Sequence, residues 1–295
     1  MRTILNYVDM RIFFITTDHL ELRIWFRDDE DFRVGMNYLA VTAAVTGLKV
    51  IAFILMSNHV HILLACPNRV EALSFINHFK QLYGTYYFNR YGEKRFFRRN
   101  GVDIQEIDPE NEGLERVIAY IVMNSVAARI CASANSYRWG SGNCYFNDNK
   151  ETGRPLSSYS GRSRIALLKS KATLPGNWTV GAKGFVLPES YVSVKGVEAL
   201  FKSPLRYNYF LNNSSKAKKV KDQSSPAFRD QVISDGFKDL CVTLFNKHDT
   251  HSLSDNEKAE AVRQLRWRFG ADSHQISRIT SIPYPEINEL LNRLP

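Results

Sequence analysis

Hydrophobic positions in the first third of the chain change their spacing several times, which predicts alternating strands and helices. Strands are expected where β-branched and aromatic residues run together, and helices where apolar residues recur every three or four positions. The predicted order is a strand at 11–17, a helix near 32–44, strands at 48–56 and 59–66, a helix from about 72 to 90 and a strand at 102–107. This βαββαβ order predicts an α+β, ferredoxin-like sandwich with an antiparallel sheet.

The pattern after residue 107 divides the rest of the chain into further parts. Apolar positions predict a third helix from Glu112 to Ile130, and residues 131 to about 189 lose periodicity and collect Gly, Ser and Asn. We expect this irregular stretch to pack on the first domain. Short helical patterns then precede a basic linker at 216–221. The predicted boundaries are 1–146 for the first domain, 147–224 for the extension and linker, and 225–295 for a second domain.

The second domain is predicted to be all-α. Ser254 and Glu257 have the spacing of a capping box at the start of a helix that Gly270 ends. Two short helices, at 273–280 and 283–294, follow with a tight turn between them. This arrangement resembles a helix-turn-helix DNA reader. Many small helical bundles share the pattern, so a plain packing or dimerisation domain is the alternative.

Charge and composition narrow the class of partner. The net charge is +9 and the isoelectric point is near 9.3, which indicates a polyanionic partner. Among such partners, nucleic acid is favoured over an acidic membrane surface. The four cysteines are scattered without a Cys-x-x-Cys pair, which argues against a zinc knuckle or a disulfide framework and favours a reducing compartment. No apolar stretch has the length of a membrane helix and the N-terminus lacks signal-peptide features. We therefore expect a cytoplasmic protein with no membrane partner.

The candidate chemistry begins with two histidines in one predicted strand. His59 and His61 project from the same face, so both imidazoles can reach one metal ion. The alternative is that they only make hydrogen bonds that hold the strand in place. On the third helix, Tyr120 and Asn124 are four residues apart and share a face, so a hydroxyl and a further oxygen ligand could approach the same ion. His78, Gln105 and Glu106 are less favoured ligands.

Two motifs resemble a known family. Met56-Ser57-Asn58-His59-Val60-His61-Ile62-Leu63-Leu64 closely resembles the M-P-N-H-V-H-x-L signature of the HUH single-tyrosine transposases. The segment 120–128, Tyr-Ile-Val-Met-Asn-Ser-Val-Ala-Ala, resembles the Y-I-x-x-N-P-V-x-A motif of their REP-associated branch, and Trp139-Gly140-Ser141 resembles the W-S-S that follows it. The likeness covers residues 1 to about 146. Ser57 and Ser125 stand where proline is usual, and Gly140 replaces a serine.

The resemblance implies a specific reaction. In the family, Mg²⁺ or Mn²⁺ held by the two histidines polarises a phosphate of single-stranded DNA, and the tyrosine attacks it to leave a 5′-phosphotyrosine and a 3′-hydroxyl. Tyr120 would be that nucleophile, and metal charge would favour its phenolate, because the free pKa of tyrosine is about 10. Since Mg²⁺ prefers oxygen ligands, His59 and His61 need an oxygen partner such as Asn124. Exchange of one phosphodiester for another needs no ATP.

Substrate contacts are predicted in the stretch from Lys80 to Arg99. Cations interleaved with aromatic side chains are typical of proteins that bind single strands. The predicted DNA-binding cations are Lys80, Arg90, Lys94, Arg95, Arg98 and Arg99. The alternative is that about half of the aromatics belong to the core and the charges form a solvated face.

These observations predict a metal-dependent enzyme that nicks and joins single-stranded, hairpin-forming repetitive DNA, in the cytoplasm and at the nucleoid of a bacterium. The helical domain would add affinity or site choice. The first alternative is a catalytically inactive regulator that binds nucleic acid with the same fold. A His-x-His metallohydrolase would need repeated βα units of a barrel, which the sequence does not show. Whether the protein is a monomer or a homodimer stays open.

Overall fold

The computed structural model describes residues 10–18, 23–93, 97, 101–110, 112–128, 130–214, 230–269 and 271–292. Its central sheet has four strands, β1 (Arg11–Thr16), β2 (Lys49–Met56), β3 (His59–Cys66) and β4 (Asp103–Glu106). The spatial order is β2-β3-β1-β4, and every neighbouring pair is antiparallel. With helices α1 (Asp29–Thr46) and α2 (Arg69–Tyr91) in their predicted places, the βαββαβ order and the α+β class are confirmed.

Local sequence sets the ends of α1 as expected. Asp28 is the N-cap and accepts a hydrogen bond from the Asp31 amide, so a polar side chain satisfies one of the exposed donors of the first turn. Gly47 has a φ of 67°, a left-handed conformation that glycine adopts at little cost, and it ends the helix. Both ends of this helix are therefore set by its own local sequence.

The two faces of the sheet carry different helices. Leu55 and Val60 are opposite each other in the β2–β3 pair, so their side chains share a face of the sheet. A Cβ atom added at Gly35 of α1 would lie 3.2 Å from Leu55 Cδ1, so α1 covers this face. Side chains alternate along a strand, so His59 and His61 belong to the other face. Helix α3 (Gly113–Val122) packs there, against β2 and β3.

The predicted third helix is two helices. α3 ends at Val122, and a short α4 (Asn124–Ala127) follows after Met123. The Asn124 side chain donates to the carbonyls of Tyr120 at 2.8 Å and Ile121 at 3.2 Å. An asparagine that bonds nearby backbone groups competes with the helical ladder, which accounts for the break that apolar spacing alone did not predict.

Residues 131–214 share the hydrophobic core of the first domain. They include helices α5 (Gly161–Leu168), α6 (Val194–Phe201) and α7 (Pro204–Asn213) and a small sheet of β5 (Arg154–Pro155) and β6 (Thr179–Val180). Part of the stretch covers the outer edge of β2: the amide of Leu55 donates to Trp139 O at 2.8 Å, and the amide of Ser193 donates to Val50 O at 2.9 Å. The segment that resembles W-S-S therefore protects a sheet edge from unwanted pairing.

A helical bundle follows, with a hydrophobic cluster of its own. Its helices are α8 (Asp230–Phe245), α9 (Asp255–Phe269), α10 (Ser273–Thr280) and α11 (Tyr284–Asn292). The predicted capping box is present, because the Ser254 amide donates to Glu257 Oε2 at 2.7 Å. The two short helices also fall where they were expected.

Candidate active site

Strand β3 places the two histidines side by side. Their ring centroids are 4.9 Å apart, and both side chains are buried, with His59 8% exposed and His61 1%. Asn58, the residue before the strand, has its Oδ1 atom 3.0 Å from His59 Nδ1. A neighbour at hydrogen-bond distance from one ring nitrogen orients the imidazole and so fixes where the other nitrogen points.

Asp18 joins the pair as a third potential ligand. Its Oδ1 atom lies 3.6 Å from His59 Nδ1, and one donor atom from each of Asp18, His59 and His61 lies within 4.8 Å of the others. One carboxylate oxygen and two imidazole nitrogens suit a divalent transition ion, and the oxygen improves the fit for Mn²⁺ or Mg²⁺. The residues present therefore fit the kind of ion that was predicted.

Asp18 was missed by the sequence prediction, which chose Asn124 as the oxygen ligand. The strand register indicates the position of Asp18. Thr16, the last residue of β1, is opposite His61, and Asp18 follows Thr16 by two residues just as His59 precedes His61 by two. Without the register, a single acid after a strand does not stand out. Asn124 is buried and its amide nitrogen binds the backbone of α3, and its role as a ligand stays a prediction.

Tyr120 lies on the histidine face of the sheet. Its ring centroid is 5.7 Å from that of His61, in an edge contact, and 6.0 Å from that of Phe14. Phe14 in turn stacks on His61 at 5.5 Å. The phenol ring, the histidine pair and an apolar ring that contacts both His61 and Tyr120 are thus neighbours on one face of the sheet.

The other proposed ligands have different partners. Gln105 donates to Asp103 Oδ2 at 2.7 Å, and Glu106 forms an ion pair with Arg11 on the neighbouring strand. His78 lies on α2 and lines a shallow surface depression with other residues of that helix. None of the three belongs to the cluster of potential metal ligands found among the described residues.

The predicted DNA-binding cations divide into two groups. Lys94, Arg95, Arg98 and Arg99 lie outside the described residues. Lys80 is 7% exposed, and its Nζ donates to Gly101 O at 3.3 Å and lies 5.1 Å from the centroid of the Phe97 ring. Arg90 donates to the carboxylates of Asp28 and Asp31. Lys80 is thus held inside the protein, whereas Arg90 is exposed and paired with two carboxylates, and the DNA-binding role of both residues stays a prediction.

Several aromatics of the same stretch are core residues. Tyr83, Tyr86 and Tyr87 are buried, and burial raises the pKa of each well above the usual tyrosine value. The Tyr86 hydroxyl donates to Asp31 at 2.8 Å, so it is held by a structural network. These three rings agree with the alternative in which about half of the aromatic residues between Lys80 and Arg99 belong to the core. Their raised pKa values make them poor candidates for nucleophiles.

Comparisons with known proteins bear on the same segment. Residues 24–121 match the family model described as Transposase IS200 like, a span that includes His59, His61 and Tyr120. A solved structure of a REP-associated tyrosine transposase bound to a REP hairpin is similar with a TM-score of 0.36 and 12% identity, over 46% of this chain and 78% of that one. No curated protein matches the chain. Among the described residues, no helix has the length and apolar character to cross a membrane.

Proposed function

We propose that the chain is a metal-dependent endonuclease and strand transferase of single-stranded DNA, a proposal supported by the match of residues 24–121 to the family model described as Transposase IS200 like. The observation that supports this most directly is the Tyr120 ring, 5.7 Å from His61 on the face that also carries His59. The DNA would be repetitive and hairpin-forming, as in the REP-associated branch that the motifs resemble. The reaction would take place in the cytoplasm, at the nucleoid.

The chemistry follows from the positions of the side chains. Asp18, His59 and His61 would hold Mg²⁺ or Mn²⁺, which supplies positive charge to the scissile phosphate when bound. The Tyr120 oxygen attacks phosphorus and forms a new P–O bond, the bond to the 3′ oxygen breaks, and the 3′ oxygen takes up a proton as the phenol loses one. Asn58 orients His59, and Phe14 restricts both His61 and Tyr120.

The product retains a phosphodiester, now between tyrosine and the 5′ end of the downstream strand. A 3′-hydroxyl of another DNA end can therefore reverse the step and join two strands without an external energy source. We include the helical domain, within the predicted boundaries 225–295, as a contributor to affinity or site choice, since its short helices α10 and α11 keep the helix-turn-helix spacing of the prediction.

Covalent trapping tests the nucleophile. The wild-type chain should form a protein–DNA adduct with 3′-labelled single strands from the DNA flanking its coding region, in the presence of Mn²⁺, and Tyr120→Phe should form none. Tyr209→Phe, which alters an exposed tyrosine of α7, should keep the adduct. A wild-type chain that binds these strands but forms no adduct with Mn²⁺ or Mg²⁺ would contradict the enzyme proposal and favour the inactive regulator.

A further inference from the structure

A cleft of about 510 Å³ lies between the first domain and the helical bundle. The first domain contributes the segment before α1 and the end of α2, and the bundle contributes one face of α8 and the C-terminal end of α10. The lining residues are Arg23, Ile24, Arg27, Glu93, Gln231, Ser234, Asp235, Lys238, His251, Arg278, Ile279 and Ser281. The cleft is separate from the histidine face of the sheet, since none of its lining residues belongs to the metal cluster.

Positive charge predominates in this cleft. Four arginine and lysine side chains line the cleft with two acids, Glu93 and Asp235, and a third acid, the buried Asp230, pairs with the lining residue Arg278. Arg23 and Arg27 both bind Glu93, at 2.9 and 2.5 Å, yet the Arg23 side chain is 57% exposed. On the opposite wall Lys238 is 64% exposed beside Asp235. Each wall therefore presents a cation that an anion from solution can reach.

Buried hydrogen bonds hold the two walls together. Asp230, at the start of α8, accepts from Ser57 Oγ at 2.7 Å and from Gln275 Nε2 at 2.7 Å, and it lies 3.4 Å from Arg278 of the cleft. The neighbouring Gln231 donates its side-chain amide to the Phe26 carbonyl. The walls thus have a defined spacing, which a binding site for an extended ligand needs.

The composition of the lining favours a particular ligand. Arginine, lysine and serine side chains bind phosphate oxygens, whereas single strands are usually held by stacking of their bases on aromatic rings. Among the described residues that line the cleft there is no phenylalanine, tyrosine or tryptophan, and His251 supplies the one aromatic ring. From this pattern we propose that the cleft binds the sugar-phosphate backbone of double-helical DNA, such as the stem of a hairpin. The inference rests on the proposed function and adds where the duplex part of the substrate is held.

Binding measured without metal tests the cleft separately from catalysis. The full chain carrying Tyr120→Phe is titrated, in EDTA and at several salt concentrations, with a labelled DNA hairpin of arbitrary sequence. Adding Arg23→Ala and Lys238→Ala should weaken binding about tenfold and reduce the slope of log affinity against log salt by about 2, because two phosphate contacts are lost. The matched control, Arg162→Ala with Lys195→Ala, removes the same charge from exposed sites elsewhere and should leave the slope unchanged.

The outcomes separate this proposal from the proposed function. Equal losses in the cleft and control variants would show an effect of net charge only and would overturn the cleft site. Equal losses for the hairpin and for an unstructured single strand of the same length would overturn the preference for duplex. A cleft-dependent hairpin affinity in a chain that never forms the Tyr120 adduct would support the cleft and contradict the enzymatic proposal.

Discussion

At the scale of single residues, Asp18 adds a carboxylate to the histidine pair as a third potential metal ligand. Two imidazoles alone favour zinc or copper, whereas an added carboxylate oxygen shifts the preference towards harder ions such as Mn²⁺ and Mg²⁺. The residue comes two positions after the end of β1, in a turn that brings its carboxylate beside the two imidazoles. Its ligand role depends on this geometry and can be tested directly.

We expect Asp18→Asn to weaken Mn²⁺ binding by about tenfold or more, because the amide oxygen lacks the charge of the carboxylate. Isothermal titration calorimetry of the full chain with Mn²⁺ measures the change. Asp103→Asn removes a carboxylate from β4, on the other side of β1, and serves as the control. Unchanged affinity in Asp18→Asn, or equal losses in both variants, would exclude Asp18 as a ligand.

Sequence reasoning succeeded for residues whose position depends on local periodicity. The period of two along a strand places His59 and His61 on one face, with their ring centroids 4.9 Å apart. It missed Asp18 as a potential ligand and did not indicate that Lys80 is buried, because register and burial are set by distant parts of the chain. An isolated lysine in a basic stretch gives no sign that its amine will lie against Phe97.

At the scale of elements, the turn between β2 and β3 connects the metal site to the helical bundle. Ser57 stands where the family signature has proline, and its hydroxyl donates to Asp230 of α8. Its carbonyl accepts from the amides of Trp25 and Phe26, at 2.7 and 3.0 Å. Because proline has no hydroxyl, the serine allows a contact between domains that the usual motif residue could not make.

We expect Asp230→Ala to destabilise the attachment of α8 by about 3 kcal/mol, since it removes the buried carboxylate that pairs with Arg278 and accepts from Gln275 Nε2. Hydrogen–deuterium exchange of the α8 amides should rise accordingly, while exchange in β3 changes little. Asp235→Ala, at an exposed position on the same helix, is the control. If α8 exchanges equally in wild type and Asp230→Ala, the buried junction does not hold the bundle in place.

Acid should weaken the capping box of α9. Hydrogen bonds from Lys247, then from Ser254, lower the pKa of Glu257 to about 2, against a usual value of about 4.3. A depressed folded-state pKa means that the stabilisation is present above pH 4.3 and disappears as pH falls towards 2. The difference in unfolding free energy between wild type and Glu257→Gln should therefore shrink between pH 5 and pH 2.

Urea titrations across that pH range measure the difference. Glu289→Gln changes an exposed side chain of α11 and should show a pH-independent difference from wild type. If the difference in unfolding free energy between wild type and Glu257→Gln also stays constant with pH, the carboxylate charge does not stabilise the start of α9.

Element boundaries were predicted best where the chain signals them locally. Ser254 and Glu257 form the predicted capping box, and Asp28 and Gly47 likewise mark helix ends through hydrogen bonds to adjacent backbone. The break at Met123 and the pairing of 139–141 with β2 were not predicted, because each depends on competition between local and distant partners. The predicted division at residue 146 likewise has no counterpart in the core, which continues into α6 and α7.

At the scale of the whole molecule, the extension and the central sheet are joined by a chain of aromatic contacts. Phe201 of α6 contacts Tyr207 with ring centroids 5.0 Å apart, and Tyr207 contacts Tyr145 at 5.9 Å. The Tyr145 hydroxyl donates to the carbonyl of Ile51 in β2 at 2.6 Å. Since β2 pairs with the histidine strand, loss of packing in the extension should reach the active site.

Phe201→Ala tests whether the first 214 residues unfold as one unit. Deleting this fully buried ring should cost about 3–5 kcal/mol, through lost burial and the cavity it leaves. In a single cooperative unit, hydrogen exchange of the most protected amides in β3 accelerates by the same free energy as exchange in α6. Ile165→Ala, at an exposed position on α5, should change neither. Faster exchange in α6 with unchanged exchange in β3 would instead show that the extension unfolds as a separate domain. In that case, packing in the extension would not stabilise the strand that carries the two histidines.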